Sequence, residues 1–437
     1  MHLQPLNEKI RSIFSCRQKG ILLSWILCIN FLGIQAQQSP DVTLRADSLH
    51  TPIPECIELL SKYIQIPSIT GDEGDAGKFL MEQCLKKGLH VRIFSDQKNQ
   101  YNFAASLYPL ESGLPNIIFL NHIDVVPTGP IEDWKYEPFS GRVDSQMVYG
   151  RGTIDMKGMA IMQLEAISEF KQHHEGESLQ FNVTLLSVSG EEEFGTKGAG
   201  WVVSNFLKEL NPVAVFNEGG SGVYGILSKQ PEKPLMCISI AEKKALWLEL
   251  EVRDLTSGHG SVPPFVYANK TAMIELNRIL GEKPKIILND YTLQTLKSLG
   301  SVESGLRGYV FRHIKLFKPL VAGKLKKDPL VMSAVSNTIT LTNINNPAGS
   351  TNQIAQQTTA TLDCRLLPGY PAHKFLAEIR KKINHKNTTI EVINQSQEAQ
   401  ASPLNKYYYR LSDALKKVYP DCDVIPILFP AVTDNNS

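Results

Sequence analysis

With 437 residues, 42% of them hydrophobic and 20% charged, the chain is long enough for one large or two medium domains with true cores, and nothing in it reads as disordered. Lys and Arg (45) nearly cancel Asp and Glu (44), and no basic stripe carries interleaved aromatics, which argues against a nucleic-acid partner.

At the amino end, Lys9, Arg11, Arg17 and Lys19 precede the apolar run ILLSWILCINFLGI. That run is shorter than the roughly 20 residues that span a bilayer, and Ala36 is a suitable cleavage position. An export signal over 1–36 is expected, giving a periplasmic or secreted protein with no membrane-inserted part after its removal. An uncleaved anchor is the alternative. A lipoprotein signal at Cys28 is disfavoured, because Leu27 stands where a small residue belongs. Removal also takes Cys16 and Cys28 and leaves Cys56, Cys84, Cys237, Cys364 and Cys422 at long spacings. Their odd number and the lack of any C-x-x-C predict mostly buried free thiols, with room for one bridge.

From about residue 54, helical and extended patterns alternate as they do in layered α/β folds with a largely parallel sheet. AGKFLMEQCLKKG reads as a helix, and HVRIF, NFAASL and NIIFLNHIDVV as strands. In DMKGMAIMQLEAISEF, Met156, Ala160, Leu164 and Ile167 share one helical face. FNVTLLSVSG is a buried strand, GTKGAGWVVSNFLKEL a helix and PVAVFNEGG another strand. After about residue 240, KALWLELEVRD alternates like a strand with one solvated face. The helix NKTAMIELNRILG follows, then a less regular stretch to about residue 335. NTITLTNI, TATLDCRLLPG, HKFLAEIRKKI and TTIEVIN complete a small two-layer α+β unit. The expected division is a catalytic part over 41–240, an insert over 241–398, and a return to the catalytic part over 399–437.

The chemistry gathers at strand ends. In NHIDVVP, His122 and Asp124 lie two apart on a strand and point to one face, where a carboxylate can orient an imidazole that binds metal. A plain hydrogen-bonded strand-end pair is the alternative. Glycines bracket Asp155 in YGRGTIDMKG at the mouth of a helix, where a simple helix cap is the competing reading. SGEEEFG places Glu191, Glu192 and Glu193 directly after an apolar strand, and FNEGG ends another strand with Glu218. Clustered acids repel one another unless divalent cations supply the compensating charge. A histidine with carboxylates and no thiolate suits zinc first, then manganese or cobalt.

These motifs and their order resemble the zinc-dependent aminoacylase and carboxypeptidase family, which includes carboxypeptidase G, carboxypeptidase S and succinyl-diaminopimelate desuccinylase. The resemblance covers nearly everything after the signal. EDWKYEPFSG and YGRGTIDMKG look most similar to carboxypeptidase S and its secreted N-acyl amino acid relatives. It implies an α/β zinc-peptidase catalytic domain with an inserted lid and dimerisation domain, and two Zn2+ ions per subunit. By that resemblance His122 binds one metal, Asp124 orients it, and Asp155 bridges both ions. Glu192 is the general base, Glu193 a ligand of the second metal, and Glu218 the remaining carboxylate ligand of the first. Glu191 replaces the aspartate common at its position and receives no catalytic role.

In the insert, SGHGSVPP resembles the family's lid motif, whose histidine, here His259, reaches a neighbouring subunit's site and stabilises an oxyanion. Asn352 and Arg365, thirteen residues apart, resemble the pair that grips the substrate carboxylate. The implied enzyme is a dinuclear zinc hydrolase that cleaves an amide beside a free carboxylate, in a peptide or an N-acyl amino acid, through a metal-bridging hydroxide. Aminoacylase specificity and a catalytically silent binding protein on the same fold are the alternatives. The family has one further metal-ligand histidine beyond a segment like AVTDNNS, whereas the last histidine here is His385. A fragment of a complete enzyme or a natural variant with a weakened second site would each account for that, and impaired activity is expected in both cases.

Overall fold

The structure is a computed structural model that describes residues 54–434 except 145, 146, 194, 257, 328, 398 and 399. The expected export signal, with Cys16 and Cys28, lies outside the described residues. Helices α1 (Glu55–Ile64) and α2 (Gly74–Lys86) precede strands β1 (His90–Gln97), β2 (Gln100–Ser106) and β3 (Asn116–His122). A small hairpin, β4 (Arg142–Val143) with β5 (Val148–Tyr149), leads to α3 (Lys157–His173), β6 (Asn182–Val188), α4 (Ala199–Leu210) and β7 (Pro212–Phe216).

These strands form one sheet in the order β1-β2-β6-β3-β7. Parallel pairing is confined to β6–β3 and β3–β7, while β1–β2 and β2–β6 are antiparallel. The expected largely parallel sheet is therefore mixed. Only Lys98 and Asn99 separate β1 from β2, and so short a link permits only a hairpin, since a parallel crossover needs a dozen residues or more.

All seven residues of β6 are buried, as its unbroken apolar run requires of a central strand. On one face Leu185 packs with Leu80 of α2 and with Ala160, Leu164 and Ile167 of α3. On the other, Leu186 and Val188 pack with Val202 and Leu210 of α4. Each fully buried leucine-sized side chain contributes about 1.5–3 kcal/mol over an exposed one. This three-layer core fixes where the strand ends fall.

Beyond the sheet come β8 (Ser221–Val223), β9 (Leu235–Glu242) and β10 (Lys244–Arg253), then α5 (Ala268–Leu280), α6 (Asp290–Val302), α7 (Gly305–Arg312), α8 (Ile314–Leu325) and α9 (Pro329–Val335). The chain continues through β11 (Thr338–Asn345), β12 (Gln357–Leu366), α10 (Ala372–Arg380), β13 (Thr388–Gln395), α11 (Lys406–Val418) and β14 (Asp423–Phe429). Strands β11-β12-β10-β13 make an antiparallel sheet. Its buried face, Leu248, Leu250, Leu362 and Cys364, packs under Leu276 of α5 and Phe375 of α10. That is the two-layer α+β unit the alternation of KALWLELEVRD predicts. Strand β9 instead pairs in parallel with β14, and β8 flanks it.

The stretch 285–335, irregular by its sequence, folds as α6 to α9 around Leu293, Leu296, Phe311, Ile314 and Val335. All five cysteines among the described residues are free, and Cys84, Cys364 and Cys422 are buried. No helix among the described residues is long and apolar enough to cross a membrane.

Candidate active site

Parallel strands β3, β6 and β7 end at one edge, with His122 paired to Val188 and Phe119 to Phe216. Asp124 follows β3 by two residues, Glu191 follows β6 by three, Glu218 follows β7 by two, and Asp155 precedes α3 by two. This carboxyl edge is where open α/β sheets place their ligands.

His122 is buried at the centre. Its Nε2 lies 3.0 Å from a carboxylate oxygen of Asp155 and 3.9 Å from one of Glu191. Its Nδ1 lies 2.9 Å from the backbone carbonyl oxygen of Asp124, closer than the 3.5 Å to that residue's carboxylate. The imidazole is thus held by the Asp155 carboxylate on Nε2 and by Asp124 on Nδ1, through its main-chain oxygen and, less closely, its carboxylate. The Asp124 carboxylate, fully buried, also accepts hydrogen bonds from the amides of Glu191 (3.1 Å) and Glu192 (3.2 Å) and from Thr70 Oγ1 (3.0 Å). Asp124 therefore moors the glutamate turn to the end of β3. Gly198 closes that turn: a Cβ on it would stand 1.9 Å from the Ser189 carbonyl oxygen, a contact no side chain can make. Below Asp155, the buried Lys157 donates from Nζ to the carbonyls of Ile66 (2.6 Å) and Tyr63 (3.2 Å), tying the start of α3 to the end of α1.

Among the described residues, two sets of side chains each have three donor atoms within 4.8 Å of one another: His122 with Asp155 and Glu218, and His122 with Glu191 and Glu192. Glu193 belongs to neither set and is exposed, so the 191–193 turn directs Glu191 rather than Glu193 toward the histidine. One imidazole nitrogen with several carboxylate oxygens fits a divalent ion of the zinc, cobalt and manganese type.

A cleft of about 470 Å3 opens beside this cluster, lined by Glu191, Glu192 and Asp434 on one side and by Arg365 of β12 on the other. Arg365 makes a two-pronged pair with Asp363, at 2.8 and 2.9 Å. His259 and Asn352 lie elsewhere, on exposed loops where Asn352 Nδ2 meets His259 Nε2 and Ser261 Oγ lies 2.7 Å from His259 Nδ1. The structure thus gathers Asp155, Glu218, Glu191 and Glu192 about His122 and places Glu192 and Arg365 on the adjoining cleft, and it pairs His259 with Asn352 apart from it.

Asp434 and Glu242 carry no role in the sequence reading. Asp434 is buried close enough to feel the charges of His122, Asp124, Glu218 and Glu242. Glu242, at the end of β9, accepts hydrogen bonds from the amide and Oγ1 of Thr433, both at 3.0 Å, and so holds the segment that carries Asp434. Only the order of motifs, with AVTDNNS last, signalled that this segment returns to the site.

The electrostatics record the crowding of acids. Burial above all pushes Glu191 up to about 9, and Glu192, Asp434 and Glu242 up to about 7, with neighbouring carboxylates adding to the shift. Glu218 rises for the same reasons. Burial alone would lower His122, but its contacts with Asp124 and Asp155 hold it well above the usual imidazole range. The bond from His122 lowers Asp155, and it also lowers Asp124 against the opposing effect of burial. A group whose pKa is raised by folding contributes stability below its ordinary value and loses it as pH rises through the folded value. Glu191, Glu192, Glu218, Glu242, Asp434 and His122 all act in that sense. Asp124 and Asp155 act oppositely, but only below the ordinary carboxylate range. Metal-free protein is therefore expected to melt at lower temperature as pH rises from about 5 to about 7, above which buried Lys157 and Lys243, pushed down to about 7 by burial, oppose the further loss, with added zinc flattening the slope; thermal melts with chelator and with zinc check this.

The mixed α/β fold thus gathers a histidine and acids, a donor set suited to a divalent ion, at the carboxyl ends of its strands beside a second α+β unit. Residues 118–435 match the model of Peptidase family M20/M25/M40, and the chain belongs to that family, a hydrolase of the peptidase or amidohydrolase type. It is 27% identical over 394 residues to the N-fatty-acyl-amino acid synthase/hydrolase PM20D1 of Mus musculus, covering 86% of this chain and 76% of that protein. With the probable carboxypeptidase S-like 2 of Dictyostelium discoideum it shares 26% identity over 352 residues, 80% of this chain and 66% of the relative. The M20 metallo-carboxypeptidase Sso-CP2 of Sulfolobus solfataricus has the same fold, with a TM-score of 0.63 at 20% identity over 87% of each chain.

Proposed function

We propose that this chain is an exported, zinc-dependent hydrolase that cleaves an amide bond next to a free carboxylate, in a dipeptide, a C-terminal peptide residue or an N-acyl amino acid. The observation that carries it is that His122 has Asp155 and Glu218, and also Glu191 and Glu192, within ligand-sharing distance, beside a cleft that Glu192 shares with Arg365. His122, Asp155 and Glu218 would hold one ion, with Asp155, open to solvent on its outer side, shared with a second held by the 191–193 turn. Bound there, divalent ions would supply positive charge that polarises a carbonyl and makes a bound water more acidic.

The chain's own residues perform the remaining steps. Arg365 grips the substrate carboxylate through its guanidinium and so sets the scissile bond against Glu192. Glu192, half-buried beside the proposed ion site, takes a proton from water and returns it to the leaving amine. Asp124 holds the Glu191 and Glu192 amides and so fixes where that carboxylate points. By the family resemblance, Asn352 joins Arg365 in gripping the substrate carboxylate, and His259 serves a neighbouring subunit's site, stabilising the oxyanion from a homodimer formed through the insert. The exposure of that loop suits the role.

Assays with zinc on a dipeptide and on an N-acyl amino acid test the proposal. Hydrolysis of either supports it, and absence of turnover with both, by protein loaded with zinc, refutes it. The likeness to the mouse N-fatty-acyl-amino acid synthase/hydrolase favours the N-acyl amino acid as the better substrate, which the same pair of assays decides. Arg365→Ala is expected to lower kcat/KM by about 10–150-fold, mainly through KM, because a charge-assisted hydrogen bond is worth about 1.5–3 kcal/mol. Steady-state kinetics on the better substrate checks the split.

A further inference from the structure

Two indole rings face the cleft from different parts of the fold. Trp201 belongs to the first turn of α4 and stands edge-on to Phe206, with ring centroids 5.4 Å apart. Trp247 lies on β10 directly opposite Asp363, while Ala245, two residues away on the same face, lies opposite Arg365. Trp247 and Arg365 are therefore diagonal neighbours on the sheet face that points away from the α5 and α10 core. Both tryptophans line the cleft that holds Glu191, Glu192 and Asp434. Both are only half-buried, so each ring presents flat apolar surface to that space.

Arg365 commits Nε and Nη2 to Asp363, and three of the five guanidinium N–H groups remain for a ligand carboxylate. A residue whose carboxylate sits on Arg365 must carry its side chain within reach of Trp247, with Trp201 across the cleft. Arg365 is the one cationic residue among the described residues lining the cleft, so a second acid finds no charge partner there beyond uncharged polar groups such as Asn394 and Gln395. A flat or bulky apolar side chain gains burial and ring contact instead.

We propose that Trp201 and Trp247 form a side-chain subsite that selects an aromatic or large apolar residue bearing the free carboxylate and rejects acidic ones. The inference rests on the hydrolase reading above and names the substrate class within it. The subsite is a matter of selectivity, so its effect is a ratio between substrates.

Zinc-loaded full-length protein is assayed with N-acetyl-L-phenylalanine, N-acetylglycine and N-acetyl-L-aspartate. The expected kcat/KM for the phenylalanine substrate exceeds that for glycine by about 10–100-fold, the range apolar pockets reach, with aspartate slowest. Trp247→Ala and Trp201→Ala should each shrink the phenylalanine-to-glycine ratio, and Trp247→Phe should restore most of it, a pattern that loss of folding does not produce. Equal rates for phenylalanine and glycine in the parent protein, or a preference that survives both alanine variants, overturns the subsite and leaves the hydrolase reading standing. If none of the three is hydrolysed, the dipeptide assay above decides whether the hydrolase reading fails. Equilibrium binding of L-phenylalanine against glycine, followed by indole fluorescence, then decides the subsite: tighter phenylalanine binding that Trp247→Ala removes supports it, and equal binding overturns it.

Discussion

Glu192→Gln is expected to lower kcat by about 10²–10⁴-fold, the range a positioned general base contributes, while zinc content and KM stay close to those of the parent. Glutamine keeps the shape and still accepts a hydrogen bond, but cannot take a proton from water. The backbone of residue 192 remains tied to Asp124, so the turn keeps its place and the loss is chemical. The same substitution removes one of several buried like charges, so the metal-free variant should melt no lower than the parent above neutral pH. A variant that loses its metal along with activity would show that Glu192 is a ligand, as its place beside His122 and Glu191 also permits. Metal analysis alongside single-turnover kinetics separates the two roles.

His122→Ala is expected to abolish detectable turnover and to weaken zinc binding by more than the roughly 10–100-fold that follows loss of an outer-shell partner. His122 is common to both three-donor sets, so no other single side chain removes as much. In the absence of metal the histidine is also the positive group that offsets Glu191, Glu218 and Asp434. Removing it leaves buried acids without a cation, and they must take up protons to remain folded. The variant should therefore lose stability most steeply above neutral pH, which thermal melts across pH can follow. Asp124→Asn is a useful contrast. Its amide still accepts through one oxygen but cannot serve the Glu191 and Glu192 amides equally, so misplacement of the glutamate turn, with a smaller loss of metal affinity, is expected.

Much of this site was legible because strand ends announce themselves. The apolar runs ending at His122, Ser189 and Asn217 and the helix opening at Lys157 set four chemistry-bearing segments on one edge, and periodicity alone located them. What the sequence did not disclose depends on side-chain direction within turns shorter than any periodicity. Nothing in GEEE distinguishes the glutamate that turns toward His122 from the one that faces solvent. In the structure the amides of Glu191 and Glu192 are tied to Asp124, the side chains of both reach toward His122, and Glu193 faces solvent. Contacts between residues far apart in the chain were equally hidden: Glu242 with Thr433, and Trp247 with the cleft, depend on how the insert sits over the sheet. The helices over 290–335 escaped notice for another reason. Their apolar residues are split between a small core of their own and exposed positions such as Leu316 and Leu320, which blurs the helical period.

All of the chemistry assigned here requires that the buried acids around His122 exist for a divalent cation. Calorimetric titration of zinc into chelator-treated protein should show at least one tight site per chain, with protons released as the raised carboxyls and the histidine give them up. That site should vanish in a His122→Ala, Glu218→Gln double variant that still folds. Absence of tight zinc binding in the parent, or tight binding that the double variant retains, would contradict it.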